Sequence, residues 1–375
     1  MKILIVLNYY WPYTSGLTEA ARCIAEELAV DNEVTVLTSK HLPNLTNEEY
    51  LNGVRVIRTD ILFRFNKGYI SPSFISTFNK LKKDKDIINL HLPMAEAGIL
   101  SFFSENKNLI ITYQCDVYLP KGIMNKMITK FMDITSNISF RRAYKVIISS
   151  EDYANSSRVL PECEEKWIEI PPTSPMYKKL IEKNKQKIKP NKNIRIGFCG
   201  RIVEEKGIDV LLRAAPIIKS HIPNVEFVIA GDYKSVAGGS VYEILKETIG
   251  WDGSYVSFLG KLTDDEMLRF YSSLDILALP SINSLEAFGM VQVEAMLSGV
   301  PVVTSNLPGV RSIVQKSQMG VIVAPGDVDD LVKGIKEIIL KKEKYIKEKE
   351  TINKFFGTKA SVSKYLDLFQ SIIIN

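Results

Sequence analysis

The sequence predicts an α/β protein made of two tandem domains, each with a doubly wound parallel sheet. Short runs rich in Val, Ile and Leu alternate with helical patterns along the chain, as expected for parallel strands joined by crossover helices. This alternation starts again at Ile194, after a stretch rich in proline and lysine. The chain has 375 residues, 46% of them hydrophobic, which is enough for two cores of ordinary size.

The first series of strands lies within residues 1–170, and helical patterns fit between most of its members. Each strand is a short β-rich run between polar or turn-forming positions. The expected strands are Ile3–Leu7, Glu33–Thr38, Val54–Arg58, Asp86–His91, Leu109–Tyr113, Lys145–Ser149 and Trp167–Ile170.

The second series lies within residues 194–358, and a linker is expected over 171–193 because prolines and lysines disfavour a core element there. A further helix, about 359–375, is expected to pack back on the first domain. The expected strands are Ile194–Cys199, Val225–Ala230, Tyr255–Leu259, Asp275–Leu279, Pro301–Thr304 and Val321–Ala324. Ligands of such open sheets bind at the carboxyl ends of the strands.

Cysteine usage and hydropathy narrow the class of protein. The longest apolar run near the start, Ile3–Leu7, is too short to cross a bilayer and lacks a cleavage site behind it. The four cysteines form no C-x-x-C pair, which argues for a reduced cytosolic protein and against structural zinc. We therefore predict a cytoplasmic protein without a signal peptide or transmembrane helix.

The stretch S-L-E-A-F-G-M-V-Q-V-E-A-M places Glu286 and Glu294 eight residues apart in an otherwise apolar run. It predicts a helix that begins near Phe288 or Gly289, with Glu286 in the preceding loop. The amides expected to attract a phosphate at this helix start are those of Phe288, Gly289, Met290 and Val291. The glutamates would then accept hydrogen bonds from sugar and ribose hydroxyls. Alternatively, Glu286 favours the helix start and Glu294 lies on a solvated face.

A second motif, C-G-R-I-V-E-E-K-G, follows the strand that opens the second series. Gly200 permits a tight turn, while Arg201 and Lys206 place two cations where a diphosphate leaving group could be neutralised. In the alternative interpretation both cations are surface charges paired with Glu204 and Glu205.

The two motifs together resemble those of the large retaining GT-B family of glycosyltransferases. Glu286 and Glu294 match the E-x7-E motif of that family, and the likeness covers most of the second domain. The other matching segments are I-A-G-D (Ile229–Asp232), F-L-G-K-L-T-D-D-E (Phe258–Glu266) and S-N-L-P-G-V (Ser305–Val310). The resemblance implies a GT-B fold, in which two Rossmann-like domains face an interdomain cleft.

Looser likenesses to the same family in the first domain point to three residues. Gly16 lies in a segment that resembles the P-x-x-x-G-G loop, with Ser15 in place of the first glycine; in the family this loop reaches the donor diphosphate. His91 ends D-I-I-N-L-H-L-P, where the resemblance implies an imidazole near the transferred sugar; a structural histidine is the alternative. Asp116, in I-T-Y-Q-C-D-V, either contacts the acceptor or caps a loop.

The resemblance implies transfer of a sugar, with retention of configuration, from a GDP- or UDP-linked donor to a hydroxyl of a glycan or lipid-linked glycan. His91, Arg201, Lys206 and Glu286 are the expected catalytic residues, and backbone atoms around Leu259 would contact the base. No metal or other cofactor is then required. The I-N-S-L-E-A-F-G wording leans toward cell-surface polysaccharide assembly.

The segment 121–145 carries six cations against one acid. Within it Ile123, Met127, Phe131, Ile134 and Ile138 recur at helical spacing. This pattern fits two structures: a core helix with a solvated basic edge, or an amphipathic helix on anionic lipid at the inner face of the cell membrane. Aromatic residues are too sparse there to suggest nucleic-acid binding.

Other activities compatible with the fold remain open. A sugar-nucleotide epimerase or a glycoside phosphorylase would use the same kind of site. A dinucleotide-binding oxidoreductase or a nucleotide-sensing module is disfavoured, since neither domain opens with G-x-G-x-x-G and no G-x-x-x-x-G-K-[ST] loop occurs.

Overall fold

The computed structural model describes residues 1–65, 68–119, 122–182, 193–233 and 240–374. Lys121 and residues 183–192 of the expected linker lie outside these ranges. The chain divides into two units: the first comprises Met1–Pro175 together with the residues from Thr358 onward, and the second comprises Met176–Gly357.

The first unit contains an eight-stranded sheet, in the order β10-β9-β8-β7-β1-β2-β4-β3, and a separate two-stranded hairpin, β5-β6. Its central strands are buried on both faces, which explains their near-continuous runs of Val, Ile and Leu. The strands are β1 Lys2–Val6, β2 Glu33–Ser39, β3 Glu48–Leu51, β4 Val54–Thr59, β5 Phe63–Phe65, β6 Gly68–Ile70, β7 Ile87–Leu92, β8 Leu109–Tyr113, β9 Lys145–Ile148 and β10 Trp167–Glu169.

The strand β3 was not expected from the sequence. It is the antiparallel edge strand of the sheet, and its residues E-E-Y-L are exposed or half-buried. Asn52 and Gly53, both at positive φ, turn the chain from β3 into β4. Such an Asn-Gly pair is a strong hairpin signal, but the short polar strand before it lacks the apolar content that predicts a strand.

The helices of the first unit up to Pro175 cover the faces of this sheet. Ser15 caps the first of them: its hydroxyl accepts a hydrogen bond from the Thr18 amide at 3.2 Å, and the Thr18 hydroxyl accepts one from the Ser15 amide at 2.8 Å. The helices are α1 Gly16–Leu28, α2 Pro72–Leu81, α3 Ala97–Phe103, α4 Ile123–Arg142 and α5 Glu151–Ser156.

The second unit contains a six-stranded, all-parallel sheet in the order β13-β12-β11-β14-β15-β16. Its strands are β11 Ile194–Cys199, β12 Val225–Ala230, β13 Val256–Gly260, β14 Ile276–Leu279, β15 Val302–Ser305 and β16 Gly320–Val323. All strands expected from the sequence in the two units are present, with bounds that agree to within one residue. The prediction of two α/β domains with parallel sheets is therefore confirmed.

Helices flank this second sheet, and one helix returns to the first unit. They are α6 Pro175–Glu182, α7 Ile208–His221, α8 Tyr242–Thr248, α9 Asp264–Ser273, α10 Met290–Leu297, α11 Val310–Ser317, α12 Val328–Leu340, α13 Lys342–Tyr345, α14 Lys349–Phe356 and α15 Thr358–Ile374. In the first unit, α15 packs against α1 and buries Tyr365, Leu368 and Phe369 in the same core as Ile24 and Leu28.

Each sheet has a point at which the strand order reverses. In the first sheet β1 and β7 are neighbours, and the strands that follow them in the chain, β2 and β8, lie on opposite sides of the pair. In the second sheet β11 and β14 have the same relation. Loops leave the carboxyl ends of such neighbouring strands on opposite sides of the sheet, so a crevice opens between them. A ligand in such a crevice would lie next to the residues that follow β1 and β7 in the first sheet, or β11 and β14 in the second.

Candidate active site

Lys206 and Glu286 meet beside the reversal point of the second sheet. Lys206 follows β11 and Glu286 follows β14, and the Lys206 ammonium donates a hydrogen bond to the Glu286 carboxylate although the two lie 80 residues apart in sequence. The Ser281 hydroxyl lies 3.5 Å from the same carboxylate oxygen. The Lys206 and Glu286 side chains are 17% and 12% exposed, so the pair is partly shielded but still reachable.

Close contact between two loops brings this pair together. Gly207 adopts a left-handed conformation, with φ of 63°. A Cβ atom at that position would collide with the carbonyl oxygen of Pro280, so only glycine allows the approach. The Ile282 amide also donates to the Glu205 carbonyl at 3.0 Å. The loop after β11 is thus attached to the loop after β14.

Arg201 lies in the same loop as Lys206. The alternative interpretation paired both of these cations with neighbouring acids. That interpretation is right for Arg201, whose guanidinium donates to the Glu205 carboxylate at 3.2 Å and whose side chain is 47% exposed. It is wrong for Lys206, which pairs with Glu286 instead. Gly200, one residue before Arg201, donates its amide to the Ala230 carbonyl at 3.0 Å and so continues the β11–β12 pairing.

The helix α10 begins at Met290, within two residues of the expected start, and Gly289 is its N-terminal cap. Gly289 has φ of 82°, and a Cβ atom there would lie 2.7 Å from the Leu279 side chain. Phe288 is buried and packs its ring against Phe356 at 6.1 Å. These contacts fix the chain entering the helix, whose first amides, including those of Met290 and Val291, have no carbonyl partners within the helix by its geometry.

Glu294 lies inside α10, and the interpretation that placed it on a solvated face is wrong. The residue is 9% exposed, and its carboxylate accepts a hydrogen bond from the fully buried Tyr271 hydroxyl at 2.5 Å. Burial, and then the nearby Glu294 charge, raises the pKa of the Cys199 thiol to about 12. Cys199 therefore stays a neutral thiol beside this carboxylate.

Leu259 lies on β13, the edge strand of the second sheet, with a side chain that is 44% exposed. The pairing register shifts at this point: Ile229 faces Phe258 and Ala230 faces Gly260, so Leu259 has no counterpart on β12. The preceding residue, Phe258, belongs to an aromatic cluster with Tyr233, Tyr242 and Trp251. The backbone at Leu259 thus lies outside the ladder, next to this cluster in the chain.

In the first unit, Gly16 is the first residue of α1 and directly follows the cap Ser15. Ser15 has an extended backbone, with φ of −155°, which any residue can adopt. The backbone at this position therefore does not require glycine, and the serine hydroxyl caps the helix. Gly16 thus begins the helix that follows β1, one of the two strands at the reversal point of the first sheet.

His91 lies in β7 and is 2% exposed. Its Nε2 contacts the Asn89 amide oxygen at 2.9 Å, and its Nδ1 accepts from the Gln114 amide at 3.3 Å. The Asn89 nitrogen is already directed at Thr112 Oγ1, 2.9 Å away, so the Nε2 of His91 carries the proton. Burial lowers the pKa of His91 to about 3, which keeps the ring neutral at physiological pH.

Asp116 is 2% exposed and has the geometry of the loop-capping alternative. One carboxylate oxygen accepts from the hydroxyls of Tyr113 and Ser157, at 2.8 and 2.6 Å. The other oxygen accepts from the Arg158 amide at 2.9 Å. The Asp116 amide in turn donates to the Tyr153 hydroxyl at 2.7 Å. The residue fastens the loop after β8 to the end of α5.

The second unit matches a known protein family over nearly its whole length. The family model described as "Glycosyl transferases group 1" matches residues 180–354. This range contains Arg201, Lys206, Glu286 and Glu294. The match spans nearly the whole second unit, and we therefore call this unit the glycosyltransferase domain.

Curated relatives of the glycosyltransferase domain differ in how much of the chain they share. O-antigen chain mannosyltransferase C of Escherichia coli is 24% identical over 352 residues, which cover 90% of this chain and 88% of that protein. The capsular polysaccharide biosynthesis glycosyltransferase CapM of Staphylococcus aureus is 27% identical over 223 residues, covering 60% of this chain and 55% of CapM. Two further relatives, each 34% identical, are matched over only 35% of their own length.

Comparison with solved structures shows the fold of the chain beyond the range of the family match. Anabaena HepE, solved in complex with UDP-glucose, matches 99% of this chain and 100% of its own with a TM-score of 0.72. The two sequences are 18% identical, so this likeness concerns the fold alone. The predicted GT-B fold class is confirmed.

Two residues near these sites were missed by the sequence reasoning. Glu96 follows β7, is 9% exposed and accepts a hydrogen bond from the Asn8 amide at 3.3 Å; burial raises its pKa. Tyr271, on α9 of the glycosyltransferase domain, holds Glu294. An acid shortly after a strand end was the available signal for Glu96, whereas nothing in the local sequence links Tyr271 to Glu294.

Within the described ranges, no group of three or more His, Cys, Asp or Glu residues is arranged to hold a metal ion. The charged groups that the glycosyltransferase domain presents at its reversal point are instead a lysine, an arginine and carboxylates. Such a set can accept hydrogen bonds from hydroxyls and donate them to an anion at the same place.

Proposed function

We propose that this protein is a retaining, metal-independent glycosyltransferase. It moves a sugar from a nucleoside diphosphate sugar to a hydroxyl of a glycan or lipid-linked glycan acceptor in cell-surface polysaccharide assembly. The observation that carries the proposal is the Lys206–Glu286 pair, whose carboxylate belongs to the loop after β14, four residues before α10 begins at Met290. A cation, a carboxylate and helix amides together match a phosphate that is linked to a hydroxylated ring.

In this proposal the pyrophosphate binds where positive charge is already available. Lys206 and Arg201 contact its oxygens, together with the amides of Gly289, Met290 and Val291. These donors are held by the loop contacts described above before any ligand arrives. They therefore stabilise the negative charge that develops on the leaving diphosphate without further rearrangement.

The carboxylates bind hydroxyls on either side of that phosphate. Glu286 orients the donor sugar and Glu294 accepts from the ribose, while the backbone at Leu259 contacts the base. The ion pair with Lys206 makes Glu286 a poor nucleophile, which favours an orienting role over a covalent one. The acceptor hydroxyl would then attack on the face from which the diphosphate leaves, and a donor phosphate oxygen would take its proton.

His91 contributes to this reaction as a neutral group. Its lowered pKa rules out a cationic role at physiological pH. To contact the transferred sugar, the ring must exchange the hydrogen bond from Gln114 or the one to Asn89 for a bond to a sugar hydroxyl. Gly16 and Asp116 belong to the same proposal as a donor contact and an acceptor-side residue, respectively.

The similar proteins support the same class of donor. HepE was solved with UDP-glucose, and the Escherichia coli relative is named as a mannosyltransferase. We therefore propose a UDP- or GDP-linked donor carrying glucose or mannose. Tests with UDP-linked and with GDP-linked sugars would identify the base of the donor nucleotide.

The experiment is a thermal-shift screen of UDP- and GDP-sugars, followed by an assay of nucleoside diphosphate release. A donor at 100 times its Kd should stabilise the protein by about 2.7 kcal/mol, and the Lys206→Gln variant should lose this shift. Release of nucleoside diphosphate should require an acceptor. Isomerisation of the donor sugar without acceptor and without net release would identify an epimerase, and sugar 1-phosphate formed from a glycan and inorganic phosphate would identify a phosphorylase.

The stereochemistry and the metal requirement are tested in the same assay. The NMR coupling constant of the product should match the anomeric configuration of the donor, and an inverted product would refute retention. Transfer should continue in excess chelator. Loss of activity that only a divalent ion restores would refute the metal-independent mechanism.

A further inference from the structure

The helix α4 carries its apolar residues on the wrong side for a core helix. Its buried side consists mainly of small hydroxyl residues, Thr135, Ser136 and Ser139, together with Phe140. An ordinary surface helix places its apolar stripe toward the core and its polar residues toward water. The polarity of α4 is inverted, so the core-helix interpretation of the 121–145 pattern is wrong for this stripe.

The apolar residues of α4 point outward along its whole length. Their exposed fractions are 85% for Ile123, 61% for Met124, 62% for Met127, 53% for Phe131, 49% for Ile134 and 41% for Ile138. Single exposed apolar side chains are common, but a contiguous row of six on one helix is a mark of an interaction surface.

The neighbouring helix α3 extends this apolar surface. Gly98 packs against Thr135, so the two helices touch at their backbones. Beside that contact Ile99, Phe102 and Phe103 are 50%, 67% and 43% exposed. We call these three residues, with the six of α4, the α3/α4 face.

Positive charge borders the α3/α4 face. Lys126 and Lys130 are exposed on the flank of the apolar row and line a groove of about 650 Å³ beside Ile123. On the α3 side the Arg142 guanidinium lies over the Phe102 ring at 5.4 Å. Asp133, the one acid on α4, is engaged by the Arg158 guanidinium at 3.0 Å. The border is therefore net cationic.

We propose that the α3/α4 face docks on an anionic lipid surface, with α4 lying in the plane of the headgroups. Its apolar row enters the boundary of the acyl chains, and Lys126 and Lys130 extend to the phosphates. The cationic border selects a lipid surface of opposite charge over an uncharged partner protein. Among the described residues no helix is both long and apolar enough to cross a bilayer, so this contact would be peripheral.

The test is co-sedimentation of the full chain with phosphatidylcholine vesicles, with and without about 30% phosphatidylglycerol. We expect binding to the anionic vesicles, little binding to the neutral ones, and release at 1 M salt. Lys126→Gln with Lys130→Gln should weaken partition by about 25-fold, since each lysine near an anionic surface contributes about fivefold. Met127→Ser with Phe131→Ser should abolish binding.

Matched controls come from the second unit. Leu340 is 79% exposed, and Leu340→Ser removes a comparable apolar side chain; Lys333→Gln with Lys354→Gln removes the same charge. Both controls should bind vesicles as the wild type does. Circular dichroism melts verify that every variant is folded. Because the measurement needs no donor or acceptor, it does not depend on the proposed function.

Three outcomes would overturn the proposal. Equal binding to neutral and anionic vesicles would refute the charge selection. Wild-type binding by the Met127→Ser, Phe131→Ser variant would refute the surface. A dimer in sedimentation velocity that the same variant dissociates, without vesicle binding by the wild type, would assign the face to a second copy of the chain.

Discussion

The two units place their predicted site residues at equivalent points, yet hold them in different ways. In the second unit, Lys206 and Glu286 form one partly exposed pair beside the reversal point of the sheet. In the first unit, His91 and Asp116 are each 2% exposed, and both ring nitrogens and both carboxylate oxygens have protein partners. The first pair is open to a ligand, whereas the second set ties the ends of strands together. Sequence resemblance locates both sets near the ends of strands, but burial shows that His91 and Asp116 must exchange a protein partner before they contact a ligand.

The largest expected effect is on catalysis, at Lys206. Lys206→Gln removes a cation aimed at the leaving diphosphate, so we expect the rate of transfer to fall about 100- to 1,000-fold with no change in melting temperature. Nucleoside diphosphate release at saturating donor measures this rate. The partly exposed pair Arg195–Glu226, with nitrogen and oxygen 2.7 Å apart, provides the control Glu226→Gln, which should keep wild-type activity. Equal losses of transfer rate in both variants would show that Lys206 has no particular role in catalysis.

The next effect is on stability, at Asp116. Asp116→Ala leaves the Tyr113 and Ser157 hydroxyls and the Arg158 amide without their buried acceptor, so we expect the free energy of unfolding to fall by about 3 kcal/mol. Denaturant titration measures it. Asp133→Ala, which removes the more exposed partner of Arg158, should cost less than about 1 kcal/mol. If Asp116→Ala were as stable as the wild type but inactive, the structural role would be refuted and only the acceptor-side role would remain.

The smallest effect is a pH dependence arising from His91. The unfolded chain takes up a proton on this histidine below its ordinary pKa of 6.5, while the folded protein leaves it neutral down to about 3. Its contribution to stability is thus complete above pH 6.5 and is lost as the pH falls through that window. Between pH 7 and 5 the wild type should lose about 2 kcal/mol more than His91→Gln.

Denaturant titrations at the two pH values check this prediction. His221→Gln is the matched control, because the imidazole of His221 is exposed in the folded protein and contacts water in both states. An identical loss of stability in the wild type and His91→Gln would show that the ring of His91 is not isolated from water in the native protein.

The sequence predicted the strands well because buried parallel strands have distinctive composition. It missed the three-residue strands β5 and β6, and also β3, an exposed to half-buried edge strand whose clearest signal is the turn at Asn52 and Gly53. It found Lys206 and Glu286 separately but not their pairing, since that contact depends on how two loops 80 residues apart pack against each other. Local patterns carry no information about such distances.

The sequence pattern also did not predict which way the apolar residues of α4 face. Periodicity identifies which residues share a face, and Ile123, Met127 and Phe131 do share one. Periodicity does not show whether that face points inward, because this depends on which face of α4 packs against the sheet and α3. The small residues Thr135 and Ser139, at the complementary positions, were the available clue, because they permit close packing against α3.

The position of α15 has a consequence for the order of folding during synthesis. This helix follows the second unit in the chain, yet Tyr365 and Phe369 fill the core of the first unit beside Ile24 and Leu28. While the ribosome translates residues 176–357, the nascent first unit has an open apolar groove on α1. The unit made first is therefore completed last, and chaperone capture during translation should concentrate on that groove.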